Sequence, residues 1–186
     1  MKLYFIAAAF LMSGVMAVAQ ENTTPVVEVG ANYSFVYNTS APGLRSFPEN
    51  GGSGYLEYNI NRTVGLVADL GGYNNSINNF KTFSYLFGPR FNIRRSRYTP
   101  YVQFLFGGTN GWYSVPAASS FAPTSQNGFA TAAGGGLDIK VSAHIAIKPI
   151  QLEYVTSQLP SFVANARGIQ NDLRYSAGIV LQVGSR

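Results

Sequence analysis

The stretch of sequence that decides the fold covers residues 129–154 and reads FATAAGGGLDIKVSAHIAIKPIQLEY. In its first half, Leu137 and Ile139 fall on one face of an extended chain, while Asp138 and Lys140 fall on the other. A strand imposes this period of two, because successive side chains point to opposite faces. The stretch therefore predicts two long strands joined by a short turn, with one apolar face and one polar face.

Parity constrains the geometry of this hairpin further. If the apolar residues of both strands share a face, residues 142–144 form a three-residue turn and Asp138 lies opposite Lys148 on the polar face. From Ile150 onward the apolar set is displaced by one residue, which requires an inserted residue in that strand. Pro149 is the natural place for such a bulge, because proline lacks a ladder donor. We therefore predict an ion pair between Asp138 and Lys148 beside a bulge at Pro149.

The composition of the chain indicates an environment other than water. Of its 186 residues, 46% are hydrophobic and only 11% are charged, whereas a soluble domain carries about 25% charged residues. The absence of cysteine excludes disulfides, thiol nucleophiles and cysteine metal sites. The net charge is +5, but the only basic cluster, Arg94, Arg95 and Arg97, is predicted to be a solvated turn, and no nucleic-acid-binding motif is present. We expect no nucleic-acid partner.

The first 19 residues have the features of a cleavable signal peptide. Lys2 precedes an apolar run over residues 3–16, and residues 17–19 read AVA, the small-x-small pattern that a signal peptidase recognises. We expect residues 1–19 to be removed and residues 20–186 to form the mature domain. No later segment has the roughly 20 consecutive apolar residues that a membrane-spanning helix needs.

Segments with the same alternation recur along the rest of the chain and predict eight strands. The predicted turns and loops between them cover residues 38–52, 61–63, 74–80, 94–99, 109–127, 142–144 and 157–168. The connections after strands one, three, five and seven are long, and those after strands two, four and six are short. Pro89 lies inside the fourth strand, where we predict another local bulge.

The apolar face of each predicted strand carries essentially no charge, which suits contact with lipid. A chain without a spanning helix can cross a bilayer only as a closed barrel, because each backbone N–H and C=O in hydrocarbon needs an internal partner. We therefore predict an all-β fold, an eight-stranded antiparallel transmembrane β-barrel of up-and-down topology. Eight strands leave just enough room for side chains to fill the interior.

The alternation of inward and outward side chains along each strand predicts where two sets of residues lie. Charged side chains on the inner faces are expected to form structural ion pairs rather than a catalytic cluster, since buried charges need partners. The predicted interior charges are Glu57, Asp69, Arg90, Asp138, Lys148, Glu153 and Arg174. Aromatic side chains on the outer faces are expected to form girdles at the membrane interfaces. The predicted girdle residues are Phe35, Tyr37, Phe83, Tyr85, Phe91, Phe106, Tyr154 and Tyr175.

With its alternating long and short connections, the chain resembles small bacterial outer-membrane β-barrels of the OmpA/OmpX class over essentially all of its mature length. The most specific mark is the last strand, where Ser176, Gly178, Leu181 and Val183 have the spacing of that family's barrel-assembly signal, without its usual final aromatic residue. The resemblance implies a location in the outer membrane of a Gram-negative bacterium, with both termini in the periplasm. It also implies outer-membrane lipids and the barrel-assembly machinery as partners of a monomeric barrel.

We expect a structural or adhesive role at the cell envelope, in which a rigid barrel presents four outer loops. A narrow channel or small-solute transporter is an alternative, supported by the glycine-lined inner face at residues 134–136. A membrane-embedded lipid-modifying enzyme would need His144, the only histidine, which this topology places in a periplasmic turn. A soluble lipocalin-like carrier would need apolar side chains inside. No catalytic, cofactor-binding or metal-binding residues are predicted.

Overall fold

The computed structural model of the chain describes residues 24–39, 47–75, 80–113, 125–160 and 167–184. The strands in these ranges are β1 (Val27–Thr39), β2 (Phe47–Asn59), β3 (Val64–Asn75), β4 (Phe80–Asn92), β5 (Tyr98–Tyr113), β6 (Ser125–Lys140), β7 (Ile145–Pro160) and β8 (Arg167–Val183). Among the described residues, no helix is long and apolar enough to cross a membrane. The predicted signal peptide lies outside the described residues and stays a prediction.

The eight strands close into a barrel of up-and-down topology. Each strand pairs antiparallel with its neighbours in sequence, and β1 also pairs with β8. Along this closing pair, Val27 lies opposite Val183 and Thr39 lies opposite Asn171. Every strand is therefore paired on both sides, and the sheet has no free edge. The predicted fold class is confirmed.

Apolar side chains cover the outside of the barrel, and most polar ones point inward. On β3, for example, Leu66 and Leu70 are 50% and 49% exposed, whereas Asp69 between them is buried. The same alternation places Tyr33 of β1 and Ile179 of β8 on the outer surface. A soluble carrier for apolar ligands would need the opposite arrangement, so the lipocalin-like alternative does not fit this barrel.

The interior also holds an apolar cluster, which the polar parity of the inner faces does not suggest. Alanine, valine and leucine side chains and one tyrosine, from seven strands, contribute to it. Its members are Tyr55, Val67, Leu86, Leu105, Ala130, Ala132, Ala146 and Val180. These side chains and the buried polar ones fill the barrel together, as expected for eight strands.

The turn between β6 and β7 has the predicted geometry. The backbone N–H of Val141 donates to the carbonyl of Ile145 with an N···O distance of 2.9 Å. This bond leaves residues 142–144 as a three-residue turn. Ile139 lies opposite Ile147 in the ladder above it, which is the register that parity predicts.

The bulge predicted at Pro149 is also present. The register of β7 against β8 shifts between Lys148 and Gln151, and the register against β6 shifts at the same level. Both shifts are explained by one extra residue in β7 beside Pro149. The carbonyl of Pro149 accepts a hydrogen bond from the Tyr175 hydroxyl at an O···O distance of 3.0 Å, which satisfies a backbone group that the ladder does not use.

The bulge predicted at Pro89 is wrong. Pro89 lies opposite Leu66 of β3 with no shift of register. On the β5 side, Gly88 and Pro89 have no ladder partner, but the pairs before and after them keep one register. Because proline removes a single donor, the sheet accommodates it by omitting two pairs and inserts no residue.

The strands extend further into the polar segments than their sequence indicates. β2 begins at Phe47 within the predicted loop 38–52, and β5 continues to Tyr113 within the predicted loop 109–127. Cross-strand hydrogen bonds continue through these polar residues, because ladder formation depends on the backbone and not on hydrophobicity. The connection between β3 and β4 shortens to residues 76–79, so it is no longer than the turn at 60–63. The predicted alternation of long and short connections is therefore wrong at this position.

Candidate functional site

The interior of the barrel contains all seven predicted interior charges, and each of them is buried. Four further charged side chains point inward that the sequence analysis did not assign to the interior. Glu28, Glu49 and Asp172 are buried carboxylates, and the Arg94 side chain is 8% exposed. The three carboxylates lie on the inner faces of β1, β2 and β8, so the parity of those strands was a signal that could have found them.

Arg90 is the centre of the ion-pair network on the β4 side. Its Nη1 atom lies 2.8 Å from Oε2 of Glu57 and 3.9 Å from Oδ2 of Asp138. Its Nε donates to Oε1 of Gln103 at 2.8 Å, and Asn92 donates to the other carboxylate oxygen of Glu57 at 2.6 Å. The guanidinium and its principal carboxylate are thus held by several charge-assisted hydrogen bonds.

The predicted ion pair between Asp138 and Lys148 is not formed, because each of the two side chains has a different partner. Both side chains point inward, as predicted, but the salt bridge of Asp138 is with Arg90. Lys148 donates from Nζ to Oε1 of Gln151 at 3.0 Å. The register shift between Leu137 and Ile139 leaves Asp138 without a direct partner in β7, and its carboxylate lies 3.9 Å from Arg90 Nη1 of β4.

Two tyrosine rings enclose the buried cations. The guanidinium carbon of Arg90 lies 4.8 Å from the ring centroid of Tyr55 and 4.1 Å from that of Tyr101. Lys148 Nζ lies 3.9 Å and 5.1 Å from the same two centroids. These are cation–π distances, which lower the cost of burying the charges.

The rings have space because glycines face them. A Cβ atom on Gly30 would overlap the Tyr55 ring, and a Cβ on Gly136 would lie 2.5 Å from the Tyr101 hydroxyl. Within the glycine run at residues 134–136, the missing side chain of Gly136 therefore allows the Tyr101 ring to lie close to the backbone of β6, as expected of glycine in a strand. It does not leave an open lumen at this level.

Glu153 of β7 is the centre of a second group of contacts. It accepts hydrogen bonds from Gln103 and Gln151, each at 2.7 Å, and from Arg174 Nε at 2.7 Å. Arg174 also lies 3.1 Å from Oδ1 of Asp69. Gln103 links this group to Arg90, so the two networks are continuous. We call the buried set that closes the middle of the barrel the central cluster; its members are Tyr55, Arg90, Tyr101, Gln103, Lys148, Gln151 and Glu153.

The prediction that Arg94 belongs to a solvated turn is wrong. Its Nη2 atom forms a salt bridge with Oε1 of Glu28 and donates to Oδ1 of Asn59 at 2.8 Å. Arg95 and Arg97 are exposed, as predicted. The arginine side chain is long enough to reach inward from a turn, so its position depends on the carboxylate that the neighbouring strands place below it.

The central cluster separates two recesses. The turn-side recess lies at the end with the connections 60–63, 93–97 and 141–144, and its lining includes Arg94 and Lys140. The loop-side recess lies at the opposite end, where its lining includes Glu49, Asp172 and Arg174 together with apolar residues such as Leu86. Asp172 Oδ1 is buried there without a hydrogen-bond partner.

Charge is strongly segregated between the inside and the outside of the barrel. Seven of the eight acidic residues of the chain lie in the described ranges, and all seven are buried in the interior. Apart from Arg94, whose side chain points inward, the charged residues described as exposed or half-exposed are all basic: Arg62, Lys81, Arg95, Arg97 and Lys140, of which Arg62, Arg95 and Lys140 line the turn-side recess. All except Lys81 are at the turn end.

The predicted girdle residues all have their side chains on the outer surface, between 40% and 57% exposed. Leu181 and Val183 of the predicted assembly signal also lie outside, whereas Ser176 is buried inside. Their contact with the membrane interface and with the assembly machinery stays a prediction.

His144 is exposed in the turn between β6 and β7. Among the described residues, no group of three or more His, Cys, Asp or Glu side chains is arranged to hold a metal ion.

Comparison with known families gives a match over residues 5–184, to the family described as outer membrane protein beta-barrel domain. The chain belongs to this family. Its location is accordingly the outer membrane of Gram-negative bacteria. The comparison with curated protein sequences gives no match.

Solved structures of outer-membrane barrels have the same fold as this family member. The neisserial surface protein NspA superposes with a TM-score of 0.63 at 16% identity, over 87% of this chain and 99% of NspA. Ail, the attachment invasion locus protein of Yersinia pestis, superposes with a TM-score of 0.52 at 18% identity, over 82% of this chain and 97% of Ail. At these identities the likeness shows the fold alone.

Proposed function

We propose that this outer-membrane barrel is a non-enzymatic, non-conducting scaffold with a structural or adhesive role, which presents the connections at its loop end to the cell exterior. One observation carries the proposal: the central cluster fills the middle of the barrel. Arg90, Lys148 and Glu153 are each 1% exposed and are tied together by ion pairs and hydrogen bonds. A solute that passed through would have to break several charge-assisted bonds at once.

The outer surface supports the same role. Its strands present apolar and aromatic side chains that suit a lipid environment. Binding to another molecule would then fall to the connections between the strands, which commonly carry function on a rigid scaffold. Ail is named for attachment, and an adhesive role for the present chain is proposed by analogy with it.

Replacing the connections at the loop end tests the adhesive role. The variants replace residues 40–46, 76–79, 114–124 and 161–166, one segment at a time, with a short Asn-Gly turn. As the matched control, the turn at residues 142–144 receives the same replacement. We expect each loop variant to insert in the outer membrane and retain heat-modifiable gel mobility, and at least one to lose adhesion of expressing cells to a surface or to other cells. Adhesion that is unchanged in every loop variant would contradict the adhesive part of the proposal.

Orientation forms a separate part of the proposal, with both termini in the periplasm. An epitope tag after Arg186 is expected to be inaccessible to antibody on intact cells, while the same tag within residues 114–124 is expected to be accessible. Permeabilising the outer membrane should expose the C-terminal tag. A C-terminal tag that is labelled on intact cells would reverse the assignment.

A further inference from the structure

The turn-side recess has a strongly basic lining. Arg62, Arg94, Arg95 and Lys140 all contribute to it, and Asp138 is the only acidic residue among its described lining. Oδ2 of Asp138 lies 3.9 Å from Nη1 of Arg90, on the side of the central cluster, and its Oδ1 is buried without a hydrogen-bond partner. The recess therefore concentrates positive charge at an opening where solvent and lipid headgroups both have access.

One hydrogen-bond donor of Arg94, a residue that lines this recess, lacks an acceptor. The Nη2 atom of Arg94 is engaged by Glu28 and Asn59, which fixes the plane of the guanidinium. Its Nε atom is buried and has no hydrogen-bond partner, and its side chain is more than nine-tenths buried. A buried guanidinium N–H without an acceptor is costly, since the group has lost its hydration.

Hydrogen bonds to backbone carbonyls hold the other basic residues near this recess, from three elements. Arg62, from the turn between β2 and β3, donates from Nη2 to the carbonyl of Arg94 at 3.2 Å. Arg95 is held in a tight turn by a bond from its N–H to the carbonyl of Tyr98 at 3.0 Å. The N–H of Lys140, at the end of β6, donates to the carbonyl of Arg97 at 2.8 Å. The basic lining thus results from hydrogen bonds between the turns.

We propose that the turn-side recess is an anion site that binds a phosphate group. Arg94 Nε supplies the buried donor, and Arg62, Arg95 and Lys140 supply the surrounding positive charge. Guanidinium groups suit phosphate because their planar N–H groups match its oxygens. The phosphate can come from a soluble phosphate anion or from the headgroup of an anionic phospholipid at the rim. The apolar side chains Ile60 and Ile93 are exposed at this rim, which places the opening next to the lipid surface.

The test follows the Arg94 Nε–H resonance directly in ¹H–¹⁵N spectra of the folded barrel. In nanodiscs of phosphatidylcholine, inorganic phosphate is titrated from the aqueous phase. In a second sample, phosphatidylglycerol replaces part of the phosphatidylcholine. A saturable shift with inorganic phosphate identifies a site for a soluble anion, and a shift only with phosphatidylglycerol identifies a headgroup site.

Matched variants separate a built site from general attraction to a basic rim. Arg95→Gln removes a cation that lines the recess, while Arg97→Gln removes an exposed cation of the same turn that does not line it. We expect Arg95→Gln to weaken binding about tenfold, the loss of one charge-assisted contact, and Arg97→Gln to leave it nearly unchanged. Arg62→Gln should behave as Arg95→Gln does. The proposal is overturned if neither phosphate source shifts the resonance, or if Arg97→Gln weakens binding as much as Arg95→Gln.

Discussion

At the scale of single residues, the interior charges differ in how well they are compensated. Arg90 and Arg174 each form salt bridges with two carboxylates. Asp172, in contrast, has a buried Oδ1 with no partner, in the loop-side recess that Glu49 also lines. Removing one member of a buried pair leaves the other charge uncompensated, whereas neutralising an unpaired charge relieves a cost.

Glu57→Gln tests the compensated case. It leaves the Arg90 guanidinium without its closest carboxylate, so we expect the free energy of unfolding to fall by about 3 kcal/mol. Urea unfolding in lipid bilayers, followed by gel mobility, measures the change. Lys81→Gln, which removes an exposed charge at the loop end, is expected to have no measurable effect. Equal stability of Glu57→Gln and the wild type would show that the pair is not structurally important.

Asp172→Asn tests the uncompensated case. The amide has nearly the same shape as the carboxylate and carries no charge, so its burial costs less. We expect the variant to be more stable than the wild type by about 1 kcal/mol in the same unfolding experiment. A loss of stability would mean that the Asp172 carboxylate makes a favourable contact in the folded protein.

At the scale of strands and turns, the barrel depends on how closely neighbouring elements approach. Gly136 of β6 faces the Tyr101 ring and the carbonyl of Ile150, whereas Gly72 of β3 has no atom within 4 Å of its Cβ position. The two glycines therefore provide a matched pair within the same sheet. Packing requires a glycine at position 136 but not at position 72.

Gly136→Ala is expected to destabilise the barrel by about 2 kcal/mol, because the added methyl group must displace both the Tyr101 ring and a strand backbone. Gly72→Ala should be neutral or slightly stabilising, since alanine reduces the entropy of the unfolded chain without a clash. Unfolding midpoints of the two variants provide the comparison. Similar midpoints would contradict the packing assigned to Tyr101.

Much of the element level could be predicted from the sequence, because side-chain parity is a local property. It gave the eight strands, the turn at residues 142–144 and the bulge at Pro149. The ends of the strands could not be read in this way, since polar segments continue the ladder through backbone bonds. Pro89 likewise reads as a bulge in the sequence, but whether a strand needs that N–H depends on the partner strand.

The candidate site was less predictable, for a physical reason. Parity identifies which side chains point inward, but the contacts among them depend on how the barrel staggers its strands. Asp138 and Lys148 lie on the same face of one hairpin, yet the salt bridge of Asp138 is with Arg90 from β4, at 3.9 Å. Arg94 similarly leaves its turn for Glu28, which is 66 positions away in sequence. Long side chains from distant strands decide these pairings.

At the scale of the whole molecule, the distribution of charge explains the architecture. The described acidic side chains are all inside, where five of the seven form salt bridges with buried arginines. The exposed basic side chains lie mostly at the turn end. The lipid-facing surface between the two ends carries apolar and aromatic residues. This arrangement gives a closed barrel with an apolar outer surface and a polar, charged cluster of buried side chains at its centre.

The central claim is that the folded barrel does not conduct, and planar-bilayer recording tests it most directly. Protein with heat-modifiable gel mobility is inserted into the bilayer, and current is recorded over a range of voltages. We expect no stable unitary conductance, because the ion pairs and tyrosine rings of the central cluster occupy the middle of the barrel. Reproducible, ion-selective unitary openings from the folded wild-type protein would contradict the account and favour a channel.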